Sequence, residues 1–194
     1  FLFHIIGLVL ELYKTSPGIG SWSYPDAAFF KIATVPLYSG FMYAAVGSYI
    51  SQSLKIMKLH LTNYEHYAAS AVLCLLIYLN FFTNHYIYDF RYFLIAVVFA
   101  FFWKTRVYFT VATKVRWMHM NVGFLLVAFF IWIAENISTY LRAWQYPDQV
   151  HVWNMVSTGK ITSWFLMVII SFILVAYLKH FKRELGRSKE VQVI

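Results

Sequence analysis

Two glutamates, Glu11 and Glu135, each close a long apolar run and are followed at one spacing by a threonine and a Trp-x-Tyr-Pro-Asp turn. Glu11 leads to Thr15 and Trp22-Ser-Tyr-Pro-Asp26; Glu135 leads to Thr139 and Trp144-Gln-Tyr-Pro-Asp148. The glutamates, the threonines, and farther on Ser39 and Ser163 are all 124 positions apart, whereas the turn motifs are 122 apart, so one loop is two residues shorter. Repetition at a fixed offset points to two related halves around a shared centre. A carboxylate at a helix C-terminus opposes the helix dipole. Met twice at matched positions, that cost favours a functional pair, a general acid and base or a proton carrier, over two residues that only solvate helix ends beside Lys14 or Arg142.

Other ionisable groups gather near the pair. Lys160 opens the last apolar run and is close enough in depth to Glu135 to be its counter-ion, while Lys31 reads equally as a snorkelling interfacial residue. Lys160 is at the outer end of its run, which argues against a mid-membrane Schiff-base lysine. Between the copies, Asn80, Thr83, His85, Asp89 and Arg91 form a third polar cluster. Asp89 and Arg91 fit a helix cap with a local ion pair, and His85 fits either a proton shuttle or an ordinary interfacial histidine. The predicted catalytic set is Glu11, Glu135, His85, Lys160 and Arg91; the predicted substrate contacts are Lys14, Trp22, Tyr24, Asn80, Asp89, Trp144 and Tyr146. With Trp153, the tryptophans and tyrosines among these also fit an aromatic belt at headgroup level.

No cofactor or metal is expected. There is no His-Glu-x-x-His site, no histidine cluster of the di-iron type and no histidine pair for haem. Ser157-Thr-Gly-Lys160 lacks the first glycine of a phosphate loop. Cys74, the single cysteine, excludes an internal disulfide.

The elements that carry these residues must cross a membrane. The chain is 61% hydrophobic and 12% charged, with a mean hydropathy of +0.61, too little polar surface for a soluble domain of 194 residues. A bilayer core of roughly 30 Å takes about 20 apolar residues. Six spans are expected at about 1–15, 34–55, 66–83, 90–111, 118–140 and 159–179. Pro36 implies a lead-in from Ala27 to Val35 and a kink or new helix start. Gly40, Gly47, Ser39, Ser48 and Ala44 give span two a small-residue stripe for close packing.

Lys55, Lys58, Lys104, Arg106, Lys114 and Arg116, then Lys179, Lys182, Arg183, Arg187 and Lys189, follow spans two, four and six, which makes those connections cytoplasmic. The net charge of +8 is therefore a topology signal and not a nucleic-acid face. The expected protein is an all-α, polytopic bundle in the bacterial inner membrane. It has one transmembrane domain over 1–179, repeat copies at about 1–55 and 118–179, and a basic cytoplasmic tail over 180–194. The copies run in the same direction, so a pseudo-twofold axis should lie along the membrane normal with Glu11 facing Glu135. Spans three and four would begin a second half of four, which implies two further helices before Phe1, truncated from a total of about eight.

Glu11 to Thr15, Gly20-Ser-Trp-Ser-Tyr-Pro25, Val35-Pro-Leu-Tyr-Ser-Gly-Phe-Met-Tyr-Ala-Ala-Val-Gly-Ser-Tyr49, Asn80-Phe-Phe-Thr-Asn-His85, Ile131-Trp-Ile-Ala-Glu-Asn136 and Ser163-Trp-Phe-Leu-Met-Val-Ile-Ile-Ser171 resemble the YoaT-like family of bacterial membrane proteins of unknown function. That resemblance implies a longer N-terminus and leaves activity open. Glu11 to Tyr43, and more faintly Glu135 to Trp164, are also similar to small membrane enzymes of carotenoid synthesis, the hydratases and heterodimeric lycopene cyclases. That likeness implies embedded acids acting on a polyene without metal or nucleotide. Three functions are open at this point: acid–base chemistry on an isoprenoid or other lipid in the outer half of the membrane, proton- or cation-coupled transport, and a non-catalytic subunit. Membrane lipids and a hydrophobic small molecule are the expected partners, with no nucleic acid.

Overall fold

The computed structural model describes residues 1–64 and 67–191, with side chains described up to residue 180. In chain order the elements are α1 (Leu2–Lys14), β1 (Lys31–Ile32), β2 (Val35–Pro36), α2 (Tyr38–Ile56), β3 (His60–Thr62), α3 (Tyr67–Thr83), α4 (Arg91–Phe101), β4 (Arg106–Val111), β5 (Lys114–His119), α5 (Met120–Tyr140), a 3-10 turn (Pro147–Gln149) and α6 (Lys160–Val191). The chain is mostly helical. Two helices, α5 and α6, are long and apolar enough to cross a membrane, while α3 and α4 are shorter apolar helices.

Helix α6 is the hub, packed against α2, α3, α4 and α5. Phe165, Leu166, Val168, Ile169, Ile170, Phe172 and Ile173 are all buried, so its middle is apolar all round. Leu73 and Ile77 of α3, Val98 of α4, Phe102, and Phe124 and Ala128 of α5 complete the core around it. Phe102, Phe124 and Phe172 meet edge to face with ring centroids 5.2–6.3 Å apart. The outer faces are apolar too. Val72, Leu75, Leu76 and Leu79 on α3, and Leu125, Leu126, Phe129 and Phe130 on α5, are exposed. Apolar faces of that extent mark surfaces that are covered.

α1 and α2 form a close hairpin because two of the predicted small residues admit aromatic rings. The His4 ring fills the space over Gly40, and the Phe3 ring lies 2.9 Å from where a Gly47 Cβ would be. Pro36 does not kink a helix. It closes a two-stranded hairpin with β1, in register Lys31↔Pro36, and α2 starts at Tyr38.

The expectation of an all-α chain is corrected by the second sheet, order β3-β4-β5. The predicted span over 90–111 ends as a helix at Phe101, and Arg106–Val111 pairs with Lys114–His119 around the two-residue turn Ala112-Thr113. Val107, Tyr108, Phe109, Thr110 and Val111 are β-branched or aromatic, the composition that favours a strand over a helix. The sheet collects Arg106, Lys114 and Arg116, and the Arg106 guanidinium stacks 4.5 Å from the Trp117 ring. α5 then runs 21 residues, about 30 Å at 1.5 Å per residue, from this sheet to Tyr140, and Glu135 lies about 23 Å along it. The predicted tail continues α6 as far as Val191. The side chains of Lys182, Arg183, Arg187 and Lys189, residues 192–194, and Glu65 and His66 at the start of the third predicted span lie outside the described residues.

Candidate active site

α1 buries Gly7, Leu10, Glu11 and Lys14, one face at helical spacing. Glu11 is therefore turned inward at the last turn and only 2% exposed. Its two oxygens accept three bonds, all from neutral groups. Trp22 Nε1 (2.8 Å) and Tyr24 OH (2.7 Å) donate to Oε2, and Tyr43 OH (2.8 Å) donates to Oε1. Trp22 and Tyr24 come from the turn motif; Tyr43 comes from α2. Gly7 makes that third bond feasible, because the Tyr43 ring occupies the volume a Cβ there would need. Thr15 donates back to the Glu11 carbonyl at 2.9 Å and finishes the helix.

α5 turns Glu135 inward in the same way, with Ala128 and Thr139 on its face, and leaves it 3% exposed. Tyr146 OH donates to Oε1 at 2.5 Å and Trp164 Nε1 donates to Oε2 at 2.7 Å. Gln149 folds back to accept the Tyr146 backbone N–H at 3.1 Å, which fixes the tyrosine. Trp153 Nε1 donates to Thr139 Oγ1 at 3.1 Å.

The two turn motifs meet directly. Ser23 and Gln145, the variable residues of Trp-x-Tyr, exchange backbone bonds of 2.9 Å in each direction, an antiparallel bridge of one residue from each copy. The Trp22 ring meets the Tyr146 ring edge-on at 6.4 Å. Beneath the bridge both glutamates line one cavity of about 420 Å³. Its walls are mostly apolar: Leu10, Met42, Val46, Phe81, Ile131, Met167 and Val168. The lining extends along α6 to Ser171, and beyond it Phe172, Ile173 and Val175 are buried and apolar.

The rim carries the cations. Lys14 Nζ lies 2.7 Å from His85 Nε2 and 3.3 Å from Asn84 Oδ1. Burial and the neighbouring Lys14 charge hold the His85 pKa below its ordinary 6.5, against an opposing pull from Asp89. Neutral His85 is thus the acceptor and Lys14 the donor. Lys160 Nζ lies 4.1 Å from the centre of the Tyr146 ring and makes no direct ion pair with Glu135. The predicted counter-ion therefore reaches the carboxylate through a phenol that the two share. Among the described residues the single ion pair is Arg91 to Asp89, at 3.0 Å.

The donor chemistry fixes what each carboxyl can do. An indole N–H only donates, so Oε2 of either glutamate must stay an acceptor. Glu11 Oε2 already accepts two bonds, so a proton on that carboxyl sits on Oε1, facing Tyr43; Glu135 Oε1 faces Tyr146. Burial first, then the charge of Glu11 and Glu135 respectively, raises the Tyr24 and Tyr146 pKa values, so both phenols keep their protons at neutral pH. Each site is a buried carboxyl held only by neutral donors, an indole on one oxygen and a phenol, which can turn to accept, on the other.

Of the predicted residues, Glu11, Glu135, His85, Lys160, Arg91, Lys14, Trp22, Tyr24, Trp144 and Tyr146 all line this cavity. Asn80 and Asp89 do not. Asn80 donates to Asp89 at 3.0 Å and accepts from the Phe90 N–H at 3.1 Å, and Asp89 accepts from the Arg91 N–H at 2.9 Å, so they clamp the α3–α4 turn. Lys31 is exposed and donates to the Asp26 carbonyl. Sequence reasoning did not single out Gly7, Tyr43 and Trp164. Matching at the 124 offset could not find them, since Tyr43 corresponds to Met167 and Trp164 to Gly40. No group of three metal-ligating side chains occurs among the described residues.

The chain matches the family described as "Protein of unknown function (DUF817)" over residues 1–172. It is 48% identical over 190 residues to "Uncharacterized protein YoaT" of Bacillus subtilis (strain 168), which covers 98% of this chain and 71% of that protein. No solved structure matches.

Proposed function

The chain belongs to the DUF817 family of proteins of unknown function, and from the site it carries we propose that it is an integral membrane enzyme performing acid–base chemistry on an isoprenoid or other unsaturated lipid. In this reading six helices span the bacterial inner membrane. The basic sheet and the C-terminus are cytoplasmic, the Trp-x-Tyr turns are at the outer face, and the two copies are related by a pseudo-twofold axis through the Ser23–Gln145 bridge. The exposed apolar faces of α3 and α5 and the length of α5, about 30 Å over its 21 residues, support that arrangement.

One observation carries the enzymatic reading: two buried carboxyls, each held only by neutral donors, face one apolar cavity. One glutamate gives its carboxyl proton to an unsaturated carbon, leaving a cation on the carbon beside it. The other takes a proton from the neighbouring carbon, and the electron pair of that C–H bond becomes the new π bond. The net change moves a double bond with no other reactant; where a second π bond of the same chain first attacks the cation, its electron pair forms the C–C bond of a ring and the proton is then lost beside the new cation. Proton exchange at the rim, beside Lys14 and His85, resets the pair. Transport is the second reading, and it needs a polar path to the cytoplasmic side. The buried Phe172, Ile173 and Val175 beyond Ser171 speak for a pocket closed at its inner end.

The test is the lipid and pigment profile of a producing strain. Glu11→Gln should reproduce the profile of a deletion, and both should differ from wild type. A variant profile that matches wild type while the deletion differs, or three identical profiles, would overturn the reading.

A further inference from the structure

Three cations stand at the cavity rim, and two of them have no acid in direct contact among the described residues. Lys14, Arg91 and Lys160 arrive from three different elements, all line the cavity, and lie near enough to repel one another. Glu135 is within electrostatic reach of Lys160, yet its oxygens are taken by Tyr146 and Trp164. The Glu11 oxygens are likewise taken by Trp22, Tyr24 and Tyr43. Lys14 is left with a neutral imidazole and an amide, and Lys160 has only the face of a tyrosine ring. Arg91 uses one nitrogen on Asp89 and reaches Thr162 at 3.4 Å with another. Two of the three converging cations, Lys14 and Lys160, thus have no acid in direct contact, which is costly in a semi-buried rim unless an anion enters.

We propose that the cavity binds an amphiphile with a phosphate head, the head held between Lys14, Lys160 and Arg91 and the hydrocarbon tail lying along Leu10, Met42 and Met167. A carboxylate offers one charge and two oxygens in a plane. A phosphate ester offers up to two charges and three tetrahedral oxygens, the better match for two ammonium groups and a guanidinium from three directions. This deepens the enzymatic reading by naming its substrate class, a lipid phosphate, and rests on that reading only for turnover and not for binding.

Trp22, Trp144 and Trp164 line the cavity, so tryptophan fluorescence reports its occupation. Full-length chain in neutral detergent is titrated with decyl phosphate, decanoate, decanol and inorganic phosphate. Decyl phosphate should saturate the signal at a concentration at least tenfold below each of the others. Lys160→Gln should weaken decyl phosphate about tenfold and leave decanol unchanged, and Lys160→Arg should restore most of the loss. Equal affinity for decanol, or no effect of Lys160→Gln, overturns the head site. Decanoate binding as well as decyl phosphate overturns the phosphate assignment, and inorganic phosphate binding as well overturns the lipid source. Glu11→Gln should still bind decyl phosphate, so loss of turnover and loss of the head site read out separately.

Discussion

Glu11 and Glu135 hold matched places in the sequence and keep different company. Both use the tyrosine of Trp-x-Tyr, Tyr24 in one copy and Tyr146 in the other. The indole comes from different elements: Trp22 of the turn serves Glu11, while Trp164 of α6 serves Glu135. Space explains the switch. The position matched to Trp164 is Gly40, whose side-chain volume the His4 ring fills, so the first copy must draw its indole from the loop. Glu11 then gains Tyr43 where the second copy has Met167, and Glu135 has Lys160 nearby where the first copy has Pro36. What the two sites share is a buried acid fed by neutral donors; what they do not share is its surroundings. Two like acids in unlike settings are the condition for one to give a proton while the other takes it.

The donor count predicts an order of stability. Leucine at either glutamate strands buried donors, at about 1–3 kcal/mol each. Glu11→Leu strands three groups and should cost on the order of 3 kcal/mol or more; Glu135→Leu strands two and should cost about 2 kcal/mol. Apparent melting temperatures in detergent would show it, and an inverted order would break the comparison. Glutamine at either site should be nearly neutral. Its amide oxygen still accepts from the indole, and its NH2 donates to a phenol that turns to accept.

Gly7→Val comes next. It drives a side chain into the Tyr43 ring, an overpacking of about 1–3 kcal/mol that falls on the Glu11 cage alone. Smaller still are the indoles. Trp22→Phe and Trp164→Phe should each lose about 1 kcal/mol from the missing hydrogen bond, while Trp144→Phe, which has no bond to Glu135 to lose, should be the mildest of the three. A loss at Trp144 equal to that at Trp164 would mean that the turn serves both acids alike.

These contrasts also mark what the sequence could reveal. Acid, threonine and turn recur at a fixed offset, so one sequence exposes them, and the cavity gathers ten of the twelve predicted residues. Tyr43, Trp164 and Gly7 were hidden because they sit at unmatched positions on apolar helix faces, where an aromatic residue reads as packing. Helix α6 was legible from its unbroken apolar run. The strand β4 was not, because the stretch 107–111 is as apolar as α4 and too short for periodicity to tell strand from helix, so only its β-branched and aromatic composition marks it. Asn80 and Asp89 have the side chains of a binding site but spend them on a turn, a choice fixed by tertiary geometry.

The smallest expected effect is a pH response confined to the first copy. Ser138 stands at the position matched to Lys14, so only the Glu11 side carries the Lys14–His85 bond. The groups facing His85 are Lys14, Asp89 and the Tyr13 ring, 6.2 Å away. His85 has a pKa below 6.5 in the fold, so above 6.5 it is neutral both folded and unfolded and the stability it supports is complete. As pH falls the unfolded chain takes up the proton first, and stability declines until the folded pKa is passed and Lys14 loses its acceptor. Between pH 7 and 5 the melting temperature of the wild type should therefore fall further than that of His85→Gln, whose amide oxygen accepts from Lys14 at either pH. Equal falls would show that the rim titrates through some other group and that the two copies do not differ in proton response.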